Sequence, residues 1–445
     1  MIFRSLPKQL LLITVCAWLF TACARKTPIA APPVTPTPAP LSAAPLPENG
    51  DKGRETTVRF LENRVRQNPD DFVAYNKLTG YYLQLQRETG SAQYLELAER
   101  AMQSSLKVLP PEQNKGGLGL RAQINFAAHR FTESRDDAQL LIKLDPEKGY
   151  PYQTQGDALL ELGDYEGAAA AFHQSEQLSG VTFGNEVRRA RVAALHGDLT
   201  ATAEHYTNAL KLAQDEATPS PETIAWTHWQ LGETAFAQGR YAPAEKHYQA
   251  SLTAFPDYYR GIGGLARARA AQNDIKGAVA LYEKLVKRLP DPVYVAALGD
   301  LYQLDGQNDQ AAAQYALVAQ IVKLSTLNGV LYNRQLALFY ADHDQQAEAA
   351  YQATAQEYAM RRDIYGADAL AWTALKAGKL PEAQAAIKDA LRLGTKDAKL
   401  FYHAGMIARA TGDKTASKMY LQKALALSPQ FDPLQAQLAQ KALKE

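Results

Sequence analysis

The eight histidines are the side chains best suited to bind a metal ion or transfer a proton, and their spacing decides whether they can act together. They are scattered, at positions 129, 173, 196, 205, 228, 247, 343 and 403. Only His205 and His247 share a position in a repeating pattern that runs through the chain. Such positions lie side by side when repeats stack, so this pair could share a metal ion. A solvated helix face accounts for the same spacing, and we interpret the histidines in this way.

The glycine-rich segments and the known catalytic motifs give no sign of an enzyme. Residues 261–264 and 115–119 are rich in glycine, but neither segment follows a predicted strand, as a phosphate-binding loop would. The sequence has no H-E-x-x-H, G-x-S-x-G, Walker or C-x-x-C motif. We therefore expect a protein without catalytic residues, without a cofactor and without a bound metal ion.

The composition excludes several other classes of protein. The 445 residues include 48 Lys and Arg against 47 Asp and Glu, so there is no basic surplus of the kind that holds nucleic acid. A hydrophobic fraction of 46% is that of a globular protein and far above that of a disordered one. Two cysteines cannot form a disulfide framework. We expect a folded protein with no nucleic-acid partner.

The first residues have the pattern of a targeting signal. Arg4 and Lys8 precede an apolar run at 10–20, which is shorter than the ~20 residues that a membrane-spanning helix needs. Two small residues then precede Cys23. This arrangement resembles the signal of bacterial lipoproteins, which implies that residues 1–22 are removed and that Cys23 carries lipid. An ordinary secretory signal is the alternative.

Residues 23–52 have the composition of a tether. Eight prolines lie between positions 28 and 47, and proline fixes φ and lacks the N–H that helices and central strands need. The segment is therefore predicted to be a disordered, extended linker. No aspartate follows Cys23 directly, and in lipoproteins of bacteria with two membranes this implies anchoring to the outer membrane, facing the periplasm.

A two-residue turn signal, usually glycine followed by a polar residue, recurs through the rest of the chain. It stands at 163–164, 197–198, 239–240, 273–274, 306–307, 378–379 and 412–413. Most spacings are about 34 residues. A longer interval between the second and third turns places an insertion near 214–221, and extra residues at 84–94 lengthen or interrupt the first copy. Prolines follow the same period at 110, 146, 256, 290 and 429.

This pattern resembles the tetratricopeptide repeat, a helix–turn–helix unit of 34 residues. The fullest copy contains Leu231, Gly232, Ala244, Tyr248 and Pro256. About ten copies cover residues 57–445, which implies an all-α fold, a right-handed α-solenoid that follows the disordered tether and occupies 53–445. A lone amphipathic helix at 57–67 and a capping helix at 433–443 are expected at its ends.

Small residues recur where the two helices of each copy approach closest. The resemblance assigns this packing role to Gly156, Ala168, Gly232, Ala244, Gly299, Ala311, Ala371, Ala383 and Gly405. A large side chain four residues after the small residue of the second helix lies on the same helical face and is predicted to fill the neighbouring pair.

In this family the first helix of each copy lines a concave groove, and the resemblance places three pairs of large side chains there. They are Arg188 and Arg191, Trp226 and Trp229, and Arg260 and Arg267. Tryptophans between pairs of arginines suit an anionic partner segment with an apolar or aromatic anchor. Packing of Trp229 between helices is the alternative, and the carboxylate clamp of heat-shock co-chaperones is not matched.

Together, these resemblances imply a non-enzymatic scaffold that binds proteins and is lipid-anchored in the bacterial cell envelope. Lipoproteins of this kind often assist the assembly of outer-membrane, pilus or export complexes. The alternative function is binding of a glycan or small ligand in polysaccharide export or sensing.

Overall fold

The computed structural model describes residues 52–327 and 333–445, which form twenty-two α-helices and no strand. The predicted signal peptide, Cys23 and nearly all of the linker lie outside these residues. Among the described helices, none is both long enough and apolar enough to cross a membrane. The predicted all-α solenoid of about ten copies is confirmed, because the helices form ten consecutive pairs with one lone helix at each end.

The lone helices are α1 (Lys52–Gln67) and α22 (Gln435–Lys444). Copies 1 to 5 are α2 (Phe72–Thr89) with α3 (Ala92–Val108), α4 (Lys115–Ala127) with α5 (Phe131–Leu144), α6 (Gly149–Leu162) with α7 (Tyr165–Ser179), α8 (Phe183–Leu195) with α9 (Leu199–Gln214), and α10 (Pro221–Ala237) with α11 (Tyr241–Ala254). Copies 6 to 10 are α12 (Tyr259–Ala271) with α13 (Ile275–Arg288), α14 (Pro292–Leu304) with α15 (Asn308–Leu327), α16 (Asn333–Asp342) with α17 (Ala347–Met360), α18 (Ile364–Lys376) with α19 (Leu380–Ala390), and α20 (Ala398–Ala410) with α21 (Lys414–Leu427).

The recurring turn signal separates the two helices of a copy. In copy 3, Gly163 ends α6 with φ of 84°, a left-handed conformation that glycine adopts without steric cost. The carboxylate of Asp164 then caps α7 by accepting a hydrogen bond of 2.9 Å from the amide of Gly167. The periodic prolines stand two residues beyond the second helices, for example Pro256 after α11 and Pro429 after α21.

The predicted small residues lie at the contact between the paired helices. Ala168, Ala244, Ala371 and Ala383 have no exposed surface, and Ala311 is 3% exposed. Each glycine of the first helix faces the large side chain sixteen positions later: Gly156 faces Phe172, Gly232 faces Tyr248, Gly299 faces Tyr315, and Gly405 faces Leu421. A Cβ added at Gly232 would stand 2.5 Å from Cε1 of Tyr248. The large side chain thus fills its own copy, and Tyr248 also contacts Gly264 of the next one.

The irregular segments and the ends match the sequence pattern. The extra residues of the first copy lengthen α2 and α3 to 18 and 17 residues rather than forming a long loop. The insertion near 214–221 forms the connection between α9 and α10. Helix α1 buries Val58, Leu61 and Val65 against α2 and α3, so its apolar face covers the first copy.

The array of copies turns back on itself, so that the turn inside one copy contacts the loop that follows the copy five places on. In copy 3, the carbonyl of Leu162 accepts a hydrogen bond of 3.1 Å from the amide of Arg362. In copy 4, the carbonyl of Leu195 accepts one from the hydroxyl of Thr395. In copy 5, the hydroxyl of Ser428 donates to the carbonyl of Phe236 at 3.2 Å. The last carbonyls of a helix have no partner within it, and the distant loops supply their donors.

The turn glycines of these copies allow the close approach. A Cβ added at Gly197 would lie 2.7 Å from the carbonyl oxygen of Gly394, and one at Gly239 would lie 2.9 Å from that of Leu427. The same relation begins in copy 1, where a Cβ at Gly90 would lie 2.7 Å from the side chain of Leu289, just after copy 6. Copies 1, 3, 4 and 5 therefore each contact a loop far along the chain.

Candidate partner-binding groove

The six predicted groove residues lie on three successive first helices, as the repeat register requires. Helix α8 carries Arg188 and Arg191, α10 carries Trp226 and Trp229, and α12 carries Arg260 and Arg267. All six are partly buried. Their surroundings differ, and the differences decide which of them can meet a partner.

Arg188 and Arg191 are engaged within the solenoid. The carboxylate of Asp157 on α6 accepts from Arg188 at 2.5 Å and from Arg191 at 3.1 Å. Arg191 also pairs with Glu161 at 2.9 Å. Burial disfavours its charge, but the carboxylates of Asp157 and Glu161 outweigh burial and raise the pKa of Arg191. These two arginines join copy 3 to copy 4, and their charges are already matched.

Arg267 is engaged in the same way. Its Nη2 donates to the carboxylate of Glu233 on α10 at 2.5 Å and to the hydroxyl of Tyr248 at 3.2 Å. Its guanidinium also lies 4.3 Å from the ring centre of Phe236. Arg267 therefore joins copy 5 to copy 6.

The two tryptophans take part in packing between copies, and for Trp229 this is the alternative that the sequence left open. Trp226 meets Tyr206 and Phe183 edge to face, with ring centres 6.1 and 6.3 Å apart. Trp229 packs against the buried clusters of copies 5 and 6. Neither tryptophan is fully buried, so both retain some exposed surface.

Arg260 differs from the other three arginines. Its guanidinium lies 4.8 Å from the ring centre of Trp229 and 5.1 Å from that of Tyr259. Within residues 52–327 and 333–445, no carboxylate lies within 4.0 Å of it. Arg260 also interacts with the hydroxyl of Tyr259 and, beyond ion-pair distance, with the carboxylates of Glu222 and Asp291. Its charge is therefore matched less closely than the charges of the other three arginines, and a carboxylate of a partner could pair with it directly.

The ion pairs that neutralise Arg191 and Arg267 can be recognised in the sequence by their spacing. Asp157 and Arg191 are 34 residues apart, and so are Glu233 and Arg267, so each pair occupies one position in successive copies. Opposite charges at equivalent positions of stacked repeats predict ion pairs between copies.

His205 and His247 occupy equivalent repeat positions, but their side chains have different partners and do not form a shared metal site. Nδ1 of His205 lies 2.9 Å from the carboxylate of Glu186, whereas Nδ1 of His247 lies 3.5 Å from Nδ1 of His228 in its own copy. Burial and neighbouring positive charge lower the pKa of both His228 and His247. Among the described residues, no group of three or more His, Cys, Asp or Glu could hold a metal ion.

Comparison with known sequences identifies the repeat. Sequence profiles of the tetratricopeptide repeat match residues 235–301 and residues 369–430. The TPR repeat-containing protein YpiA of Bacillus subtilis (strain 168) is 27% identical over 208 residues, which are 45% of this chain and 39% of that protein. The chain thus spans about two fifths of this relative's length.

Solved structures show similar arrangements at low identity. The human IFIT1 dimer with PPP-AAAA is 15% identical, with 76% of this chain and 78% of that chain covered and a TM-score of 0.48. A tetratricopeptide repeat protein from Parabacteroides merdae ATCC 43184 is 17% identical, with 59% and 97% covered and a TM-score of 0.32. The repeat period, the ten helix pairs of the described residues and the two profile matches agree that the chain contains tetratricopeptide repeats.

Proposed function

We propose that this chain is a non-enzymatic scaffold that binds a protein partner and is held in the bacterial cell envelope by lipid on Cys23. Tetratricopeptide repeats are typically protein-binding scaffolds, and this general role supports the proposal. The signal-like segment before Cys23 and the proline-rich residues after it support anchoring, at the outer membrane and facing the periplasm. Assembly of an outer-membrane, pilus or export complex is the process that such a scaffold would assist.

The single observation that carries the binding site is the pairing of Arg260 with Trp229. The aromatic faces hold the guanidinium in place but leave its charge without a carboxylate within ion-pair distance among the described residues. A partner segment with an acidic side chain and an apolar anchor satisfies both groups at once. The proposed site therefore contains fewer residues than the six that were predicted, because three of the four arginines form ion pairs between copies of the solenoid.

The proposal is tested by replacing Arg260 with Gln and Trp229 with Leu in the full chain. Partners are first identified by photo-crosslinking from position 229 in the native host, and their direct binding to purified variants is then measured. We expect Arg260→Gln to weaken binding by about tenfold, the effect of one charge-assisted hydrogen bond. Arg135→Gln is the matched control, because among the residues of the chain that the structure describes Arg135 pairs only with the adjacent Asp136 on α5.

The outcomes separate the candidate functions. Loss of binding at an unchanged melting temperature supports the site, whereas loss of both assigns Arg260 to the packing of copies 5 and 6. Equal binding of the partner by Arg260→Gln and Arg135→Gln would show that the binding site lies elsewhere on the solenoid. A glycan that raises the melting temperature while no protein is captured would favour the alternative function.

A further inference from the structure

A cavity of about 370 Å³ lies between the first helices of copies 6 to 8 and the residues that lead into α22. Its walls are largely apolar and include Val293, Leu336 and Phe339, while Phe431 and Pro433 close it from the C-terminal side. The volume is at the lower end of the range found for small-molecule sites. The cavity is separate from the Arg260–Trp229 pair, since neither residue lines it.

The cations of this cavity are already neutralised. The ammonium of Lys399 donates to the carboxylate of Asp342 at 3.0 Å, and Arg267 pairs with Glu233 at 2.5 Å. An anionic ligand would therefore find no free positive charge among these side chains. It would also face a carboxylate that has no Lys, Arg or His within 4.0 Å among the described residues.

That carboxylate belongs to Asp432. It accepts hydrogen bonds from the main-chain amides of Leu434 and Gln435 at 3.0 and 2.9 Å, and so caps the start of α22. No Lys, Arg or His of the described residues lies within 4.0 Å of it. Burial raises the pKa of Asp432; the charge of Lys399, which lies beyond ion-pair distance and is bound to Asp342, lowers it only in part, and the charge of Asp342 raises it further.

A second acceptor at the same end lacks a donor. Gln435 is 3% exposed, its Nε2 donates to the carboxylate of Asp342, and its Oε1 has no hydrogen-bond partner among the described residues. A buried acceptor without a donor costs free energy. Gln435 does not itself line the cavity but follows its C-terminal wall, and the carboxylates of Asp342 and Asp432 in that region outnumber the single ammonium of Lys399.

We propose that this cavity binds an organic cation, an ammonium group on a compact apolar body, with Asp432 as its counter-ion. The apolar body contacts the walls formed by Val293, Phe339 and Phe431, and the ammonium donates to Asp432. A free amine and a lysine side chain of a partner share this chemistry. The cavity is closed by the C-terminal segment that contains Phe431. A hydrogen bond of 2.7 Å from the amide of Gln430 to the hydroxyl of Tyr241 holds this segment in place.

The test is calorimetric titration of the full chain with three probes of one shape, phenethylamine, phenethyl alcohol and phenylacetate. We expect phenethylamine to bind at least tenfold more tightly than the alcohol, and phenylacetate to bind least. Acetyl-Ala-Lys-Ala-amide is the fourth probe and distinguishes a free amine from a lysine side chain. Equal binding of phenethylamine and its alcohol, or no binding of either amine, would overturn the proposal.

Asp432→Asn isolates the charge, because asparagine keeps the oxygen that caps α22. We expect this variant to lose at least tenfold in affinity for the amine and to bind the alcohol as before. Asp198→Asn is the matched control, an exposed cap of α9 whose oxygen accepts from the amide of Ala201 at 2.9 Å. If Asp432→Asn fails to fold, the comparison of amine with alcohol on the unaltered chain still decides the question. Unchanged amine affinity in a folded Asp432→Asn protein would refute the assignment of Asp432.

Discussion

The hydroxyl oxygen of Tyr165 accepts a hydrogen bond of 2.8 Å from the main-chain amide of Ile364, 199 residues further along the chain. Beside it, Arg361 pairs with Glu161 at 2.8 Å, and Glu161 also holds Arg191. The contact thus links copy 3 to the start of copy 9 through both a main-chain donor and an ionic network. A solenoid stabilised only by adjacent repeats has no such connection.

Alanine at Gly197 tests the contact between distant copies against a control with the same backbone conformation. Gly197 and Gly412 both have positive φ, of 73° and 85°, so alanine costs roughly 1–2 kcal/mol at either position. A Cβ at Gly197 also collides with the carbonyl of Gly394, whereas one at Gly412 has no atom within 4 Å. We expect Gly197→Ala to lower the free energy of unfolding by about 1–3 kcal/mol more than Gly412→Ala. Equal losses in urea denaturation would show that the distant contact contributes nothing.

Alanine at Gly232 tests the packing of the aromatic side chain within a copy. The added Cβ would stand 2.5 Å from the ring of Tyr248, which is itself enclosed by Gly264, so we expect a loss of about 1–3 kcal/mol. Gly80 on α2 has no atom within 4 Å of an added Cβ, so Gly80→Ala should instead stabilise the protein by roughly 0.5–1 kcal/mol.

Leucine at Gly232 or Ala244 should lower the free energy of unfolding more than alanine at Gly232 does. Hydrogen exchange should show reduced protection in copies 4 to 6, and unchanged protection there would contradict the register.

The pair of His343 and Asp300 predicts a pH-dependent contribution to stability. Nε2 of His343 lies 2.8 Å from the carboxylate of Asp300. Burial lowers the pKa of His343, but the hydrogen bond and charge of Asp300, with the charge of Asp342, outweigh burial and leave that pKa above its usual value. The stabilisation is therefore fully present below the unfolded pKa of about 6.5 and is lost as the pH rises through the folded pKa.

Asp300→Asn should accordingly lower the free energy of unfolding more at about pH 5.5 than at about pH 8.5. The variant keeps an oxygen that can accept from Tyr315, which donates to Asp300 at 2.8 Å. The difference between the two proteins is measured by urea denaturation at each pH. A loss that is the same at both values would exclude a protonated His343 from the stability of the fold.

Cys23→Ser should release the protein from membranes or block its processing, if lipid on this residue is the anchor. Each buried CH₂ of an acyl chain contributes about 0.8 kcal/mol, and two chains anchor a protein stably. Cell fractionation with palmitate labelling measures the effect. A signal-cleaved but unlabelled mutant that stays with the membrane would rule out the proposed anchor.

The copies could be predicted from sequence because each signal is local. The αL glycine at Gly163, the helix cap at Asp164 and the small residue at Gly232 act within one copy, so their spacing alone sets the period. The ion pairs of Arg191 and Arg267 involve the adjacent copy, and the charges 34 residues earlier indicate them only when the copies are aligned.

The contacts between distant copies could not be predicted. Tyr165 and Ile364 belong to different positions of the repeat, and nothing in the composition of either segment marks it as the partner of the other. Whether a carboxylate lies beside an arginine, as Asp157 does beside Arg188 but none does beside Arg260 among the described residues, depends on the same arrangement in space. The candidate site was thus predicted as a set of helices, and the site that we propose keeps one pair of side chains from it.

The turn-to-loop contacts of copies 3, 4 and 5 constrain the number of repeats that the chain can carry. Arrays of this kind commonly change length by duplication or deletion of a whole unit, because each neighbour-to-neighbour interface can be rebuilt. Deleting one unit between copies 5 and 8 would leave those interfaces nearly intact but would shift every distant contact by one loop. Tyr165 would then face the loop at Thr395 instead of Ile364, and Gly197 would face Ser428. We expect the unit count of this chain to be fixed, while the loop between α9 and α10, which takes no part in these contacts, remains free to vary in length.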